Sequence, residues 1–246
     1  MLTEILRDFE SISLAEIAKV ALLKRVDTKF VLNQNILNDI VKDWKQHFSV
    51  LEINNKVIFQ YKTHYFDTPD HQFYFDHQRG KIRRSKVRIR EYLDSNQAYF
   101  EIKSKNMKRQ TDKKRMLLPR NVTDASRLTK EFLEKNSFEV PDLQASINNQ
   151  FKRFTLVNRT EEERLTIDFD IQFYNDKNKI SLENIAIIEL KQKEFDRTSL
   201  VFETLKKHNV RPTGFSKYCY GLAALNPDLK QNYLLPKFRL LKKLTA

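Results

Sequence analysis

Glycine is nearly absent from this chain of 246 residues: Gly80, Gly214 and Gly221 are the only three. Neither a GxGxxG dinucleotide turn nor a Walker A loop can be built from them, because both need several glycines within one short loop. Any phosphate the protein holds must therefore be gripped by Lys and Arg side chains, helped at most by a helix N-terminus. Cysteine is scarcer still. Cys219 has no partner within the chain, and the five histidines (His47, His64, His71, His77, His208) form no Cys/His cluster at zinc-ligand spacing. A reducing, cytoplasmic setting is the expectation. Long apolar runs are also missing. None approaches the ~20 residues of a membrane-spanning helix, and the first twenty residues are punctuated by Glu and Asp, unlike a signal peptide.

What is present is charge on a globular background. Apolar residues make up 40% and charged residues 31% of the chain, a composition that buries a full core without disulfides or a structural metal. Lys and Arg number 45 against 32 Asp and Glu, a net charge of +13 that suits an anionic partner: nucleic acid, an anionic membrane surface or polyphosphate. Residues 1–23 read as short amphipathic helices, with Ser13 and Glu16 at capping-box spacing ahead of Ile17, Val20 and Leu23. Further helical patterns cover 34–47, 124–136 and 197–209. Aromatic and β-branched alternation predicts eight strands, at about 25–33, 57–68, 83–94, 97–106, 112–120, 150–159, 163–173 and 184–193. The expected organisation is a single domain over 1–246: N-terminal helices 1–23, a sheet region of about 24–221, and a basic, Leu-rich tail 222–246 forming a helix or an extended arm.

Side chains two apart share one face of a strand. Lys86, Arg88 and Arg90 fall opposite Val87 and Ile89, while Glu101, Lys103 and Lys105 fall opposite Phe100 and Ile102. Arg164, Thr166, Asp168 and Asp170 oppose Leu165, Ile167, Phe169 and Ile171, and Glu189, Lys191 and Lys193 oppose Ile188 and Leu190. Arg25, Asp27 and Lys29 repeat the pattern beside Val26 and Phe30; Lys113 with Arg115 does so more weakly. Two readings fit. The charged rows face water and the apolar rows an ordinary sandwich core, or the sheet closes into a barrel with a charged interior and helices over its apolar exterior. Six strands that each place two or three charges on one side favour the barrel. Such an interior needs carboxylates, water or a polyanion to offset like-charge repulsion and lost hydration.

The ordered segments RVDTKF (25–30), YFDTPD (65–70), GKIRRSKVRIREY (80–92), FEIKSK (100–105), KKR (113–115), RLTIDFDI (164–171), IIELKQK (187–193) and GFSKYCYG (214–221) resemble the triphosphate tunnel metalloenzymes. The resemblance is to the branch of the catalytic domain of the vacuolar transporter chaperone, a polyphosphate polymerase. It implies an α+β fold: an eight-stranded antiparallel β-barrel tunnel with helices packed outside. Phosphates would be contacted by Lys29, Arg88, Arg90, Lys103, Lys113, Arg164 and Lys217, with Ser216 beside Lys217 and with Arg115 and Arg153 as further lining. Arg88, Arg90, Lys103 and Glu189 would carry catalysis, and Glu189 would bind the divalent metal, Mn²⁺ or Mg²⁺. One departure is informative. Many tunnel enzymes open with E-x-E-x-K, whereas this chain has Arg25-x-Asp27-x-Lys29, which weakens a two-metal triphosphatase or cyclase and favours the polymerase branch.

The implied function is transfer of the γ-phosphoryl group of ATP, or another nucleoside triphosphate, to polyphosphate. An inorganic triphosphatase acting on tripolyphosphate and a non-catalytic polyphosphate-binding module are the alternatives. A separate membrane-protein partner is expected from the resemblance alone, and no nucleic-acid-binding signature accompanies the charge. Each motif also has a plain structural reading: Glu189 with Lys191 as an ion pair, Asp168 and Asp170 as counter-charges, GFSKYCYG as a turn into a helix, and the tail as a solvated surface or a docking arm.

Overall fold

The computed structural model describes residues 1–19, 25–107, 111–119, 126–138 and 142–245. In chain order the elements are α1 (Leu2–Arg7), β1 (Glu10–Ile12), α2 (Leu14–Lys19), β2 (Val26–Asn33), α3 (Leu37–Trp44), β3 (Phe48–Leu51), β4 (Phe59–Asp67), α4 (Gln72–Gln78), β5 (Arg84–Tyr92), β6 (Gln97–Lys105) and β7 (Thr111–Leu118). They continue with α5 (Ser126–Lys135), β8 (Gln144–Asn158), β9 (Glu163–Tyr174), β10 (Lys179–Leu182), β11 (Ile185–Gln192), α6 (Leu200–Lys207), α7 (Lys217–Leu225) and α8 (Leu235–Thr245). Ser13 caps α2 as its spacing predicts: its backbone N–H donates to Glu16 Oε2 at 2.9 Å and the Glu16 N–H donates back to Ser13 Oγ at 3.3 Å.

Eight strands form one continuous antiparallel path in the order β2-β11-β9-β8-β4-β5-β6-β7, and they are the eight that alternation predicts. Three short strands lie off the path: β1 pairs with β3, β3 also with β8, and β10 with β9. The path curls until Lys29 at one end and Lys113 and Arg115 at the other line the same cavity. Among the described residues its terminal strands do not pair with each other, which leaves a seam between β2 and β7. Pro212 and Thr213 run along the β2 side of that seam, where the Thr213 N–H donates to the Lys29 carbonyl at 2.7 Å. This satisfies part of an edge that would otherwise invite pairing with another chain.

Helices cover the apolar exterior. Phe30, Leu32, Phe154, Leu156, Leu165, Ile167, Ile188 and Leu190 are all 4% exposed or less and pack with Leu6 of α1, Ile40 and Trp44 of α3, and Val201 and Leu205 of α6. On the other flank Phe100 meets Phe132 of α5, with ring centroids 5.9 Å apart. One helix behaves differently. α7 is set inside the curve, against inward-facing side chains: Tyr218 packs on Tyr65 and Tyr220 on Phe173. A Cβ at Gly221 would lie 2.4 Å from Phe173 and 2.9 Å from Ile147, so only glycine lets the helix sit so close to the sheet. The tail expected at 222–246 therefore begins inside α7 and ends as the helix α8. Among the described residues no helix is long and apolar enough to cross a membrane.

Candidate functional site

The charged rows converge on a cavity of about 470 Å³. Among the described residues twelve Lys and Arg side chains line it against three carboxylates, Asp27, Asp168 and Glu189. Every residue anticipated from the sequence as a phosphate or metal contact is among the lining: Lys29, Arg88, Arg90, Lys103, Lys113, Arg115, Arg164, Glu189, Ser216 and Lys217, together with Arg153. Lys103, Lys113 and Arg115 are exposed, on the side of the seam. Four members of the expected charged rows are not in the lining: Glu101 is buried behind it, and three lie elsewhere. Asp170 is turned out by a β-bulge, where Asp170 and Ile171 together oppose Phe151; it adopts φ +50° and pairs with Lys152 at 2.9 Å on the outer surface. Lys193 lies past the end of β11 and pairs with Glu162, and Lys105 ends β6 away from the cavity.

Inside, the acids and bases are organised rather than dispersed. Glu101, 1% exposed, holds Arg88 at 2.6 Å and Lys113 at 2.5 Å across three adjacent strands. Burial alone would raise its pKa, but Arg88, Arg90 and Lys113 outweigh burial and hold it down at about 2. Asp168 takes Arg153 in a two-point grip, at 2.5 and 2.8 Å, and accepts from Lys217 at the start of α7. Those two cations overcome burial and keep the Asp168 carboxyl well below its ordinary range. Glu189 lies between Lys29 on the neighbouring strand, at 2.5 Å, and Lys191 two residues on, at 2.7 Å; again the cations override burial and keep it ionised.

Two buried aromatic rings lie against the lining cations. Tyr61 and Phe151 stack with centroids 5.2 Å apart, and the Arg153 guanidinium lies 5.2 Å from the Tyr61 ring and 5.3 Å from the Phe151 ring. Arg90 lies 5.9 and 6.0 Å from the same two rings, its Nε buried without a partner, and Lys217 Nζ is 4.6 Å from the Phe151 ring. Lys86 donates to Ser216 Oγ at 3.0 Å; burial pushes its pKa down to about 8. Sequence reasoning placed Lys86 on a charged face without a role at the site and overlooked Tyr61 and Phe151, while its plain readings of Lys191 as the ion-pair partner of Glu189 and of Asp168 as a counter-charge match the pairs seen here. The signal for Tyr61 was its two-residue spacing from Thr63 and Tyr65 on β4.

Among the described residues no three His, Cys, Asp or Glu side chains converge as an all-protein metal cage. The donor set does fit a magnesium-like ion held by one or two carboxylates plus substrate phosphates. Glu189 is the carboxylate with that position: Lys103, Lys29 and Lys191 surround it, so a phosphate chain drawn to those ammonium groups comes within reach of its oxygens.

Comparison with known proteins agrees with the geometry. The VTC domain family model matches residues 24–226. No curated protein matches the chain at a significant level. Among solved structures, a Bacillus halodurans protein assigned as an adenylate cyclase superposes with a TM-score of 0.53 at 14% identity, covering 79% of this chain and 94% of its own. A Hippeastrum protein, assigned as an adenylyl cyclase and showing a dominant triphosphatase activity, gives 0.53 at 14% identity, covering 81% of this chain and 96% of its own. At these identities the likeness is one of fold, the triphosphate tunnel fold.

Proposed function

The chain belongs to the VTC domain family, and from that premise we propose that it is a phosphoryl-transfer enzyme whose channel moves the γ-phosphoryl group of ATP onto polyphosphate. One observation carries the reading: among the described residues, twelve cations line a single cavity with only three carboxylates among them. A solvated surface has no need of that arrangement, and crowding so many like charges, most of them partly buried, is tolerable when a polyanion neutralises them. Phosphoryl transfer asks chiefly for positioning and charge neutralisation along an in-line path.

In this proposal Arg88, Arg90 and Lys103 grip the donor triphosphate, and Lys29, Lys113, Arg115, Arg164 and Ser216–Lys217 hold the acceptor chain. The bond between the γ-phosphorus and its bridging oxygen to the β-phosphate breaks, ADP leaves, and a terminal oxygen of the acceptor bonds to the γ-phosphorus. That oxygen is already ionised, so no strong general base is required. Glu189 would hold a divalent cation, Mg²⁺ or Mn²⁺, which supplies charge neutralisation to the phosphates when bound. The residues themselves orient the chain: Arg by two-point contacts to phosphate oxygens, Lys as mobile point charges.

Water in place of the acceptor chain would make the same channel a triphosphatase, the activity of the Hippeastrum protein with this fold. Arg25, where tunnel enzymes of that type carry a Glu, leaves this chain fewer acids for metal and supports the polymerase. Incubating the protein with ATP and Mn²⁺ and resolving products by chain length tests the choice. A ladder of polyphosphates supports polymerase; orthophosphate alone supports triphosphatase; unchanged ATP with tight polyphosphate binding supports a non-catalytic module.

A further inference from the structure

The cations of the channel are not equally covered. Of the twelve in the described lining, eight are half-buried or buried and four are exposed: Arg25 beside β2, Lys103 on β6, and Lys113 and Arg115 on β7. β2 and β7 are the two ends of the strand path, and β6 is the neighbour of β7. A closed barrel would shield its inward rows from solvent all the way round. Here every exposed cation of the lining belongs to the strands that flank the seam.

The flanks of that seam are held by few backbone bonds. Pro212 and Thr213 occupy the edge of β2 at Phe30 and Lys29, and there Lys29 is half-buried. Among the described residues no backbone hydrogen bond fills the outer edge of β2 from Val26 to Thr28, or that of β7. Widening the gap along that stretch breaks no ladder bond.

The two ends of the channel differ from its side. At one end α7 presents Ser216 and Lys217 to the cavity, and its Gly221 lies against Ile147 near the start of β8. At the other, Ile17 of α2, only 8% exposed, and Leu51 of β3 line the cavity. Leu51 follows Val50, which pairs with Leu156, and in an extended strand Leu156 is roughly 30 Å along β8 from Ile147. A helix therefore stands at each end, while the exposed cations mark the side.

We propose that a polyphosphate chain enters and leaves this channel sideways, through the seam between β2 and β7, so that an interior segment is seated without an end being threaded past α2 or α7. The inference rests on the phosphoryl-transfer reading above and specifies its polymer: a long chain whose termini are of any size. Phosphates laid in the seam meet Arg25 on one flank and Lys103, Lys113 and Arg115 on the other, and their charge offsets the repulsion between those flanks. A chain admitted in this way is not encircled, so it exchanges without being drawn out by its end.

Long-chain polyphosphate that carries biotin on both termini through phosphoramidate bonds, saturated with streptavidin, cannot thread a channel. Its competition with fluorescein-labelled tripolyphosphate bound to the parent protein is compared with that of uncapped polymer, with biotin-saturated streptavidin as the control. The two polymers are expected to displace the probe with the same affinity. Displacement by the uncapped polymer alone shows threading and overturns the proposal. Capped polymer that co-elutes with the protein without displacing the probe overturns it too, because that polymer lies outside the channel. A protein that makes no product from ATP but releases the probe to capped polymer loses the phosphoryl-transfer reading and keeps the sideways route. One that binds neither probe nor polymer overturns both.

Discussion

At the scale of single residues, the channel contains cations of two kinds, and substitution separates them. Arg153 is the counter-charge of a carboxylate only 4% exposed. Arg153→Met strands Asp168 with Lys217 alone, and removing one partner of a buried pair costs about 3–5 kcal/mol; urea denaturation is expected to report a loss of that order. Among the described residues Arg90 makes no ion pair of its own; burial, then Arg88 and Arg153, disfavour its charge more than Glu101 favours it. Arg90→Ala is therefore expected to leave the melting temperature unchanged or higher while raising the KM for the triphosphate or lowering turnover by about tenfold. A comparable result from Lys152→Ala, on the outer surface, would remove the distinction. Glu189→Gln leaves Lys29 and Lys191 without their shared anion. The ligand-free protein should melt earlier, tripolyphosphate should restore more stability than it does in the parent, and turnover should fall about 100-fold; retained activity in a product assay counts against Glu189 as the cation's carboxylate.

At the scale of elements, the eight strands of the tunnel were legible because alternation is a local property, fixed by which face each side chain takes. The bulge at Asp170 was not, since the residues on either side keep the same alternating pattern and only the pairing with β8 shows that one of them is extra. α4 escaped notice for another reason. Its seven residues carry little periodicity, and it is held by tertiary capping: the Asp67 carboxylate accepts from the N–H groups of Phe73, at 2.8 Å, and Tyr74, at 3.0 Å. α7 is the element on which the site depends most. Ser216 caps it, Lys217 opens it, and Gly221 lets it approach Phe173 and Ile147. Gly221→Ala overpacks that contact, at a cost of about 1–3 kcal/mol. It should also shift the start of the helix and weaken tripolyphosphate binding several-fold, which calorimetry can measure beside the unfolding free energy.

At the scale of the whole molecule, twelve of the 45 basic side chains line one cavity and some of them are partly desolvated, so stability and ligand binding are linked through pH. Lys86, with its pKa pushed from 10.5 to about 8 by burial, shows the sign. Between those two values the unfolded chain holds a proton that the folded chain does not, so this residue makes the ligand-free protein more stable as pH rises through that window. A polyanion reverses the preference by favouring the charged ammonium. The rise in melting temperature produced by tripolyphosphate is therefore expected to be larger at pH 7 than at pH 9. Equal shifts at both values, measured by differential scanning fluorimetry at constant ionic strength, would show that Lys86 does not meet phosphate.

The strand pattern, the cationic rows and the exclusion of glycine-loop phosphate binding follow from the order of residues alone, because side-chain alternation and composition are local facts. Only the tertiary structure decided which face of the sheet is inside, that β2 and β7 leave a seam, that α7 lies within the curve, and that Glu101, Asp168 and Glu189 each bind a particular pair of cations. Those features depend on the curl of the sheet and on contacts between residues as far apart as Lys29 and Glu189, which meet only when distant strands are brought together.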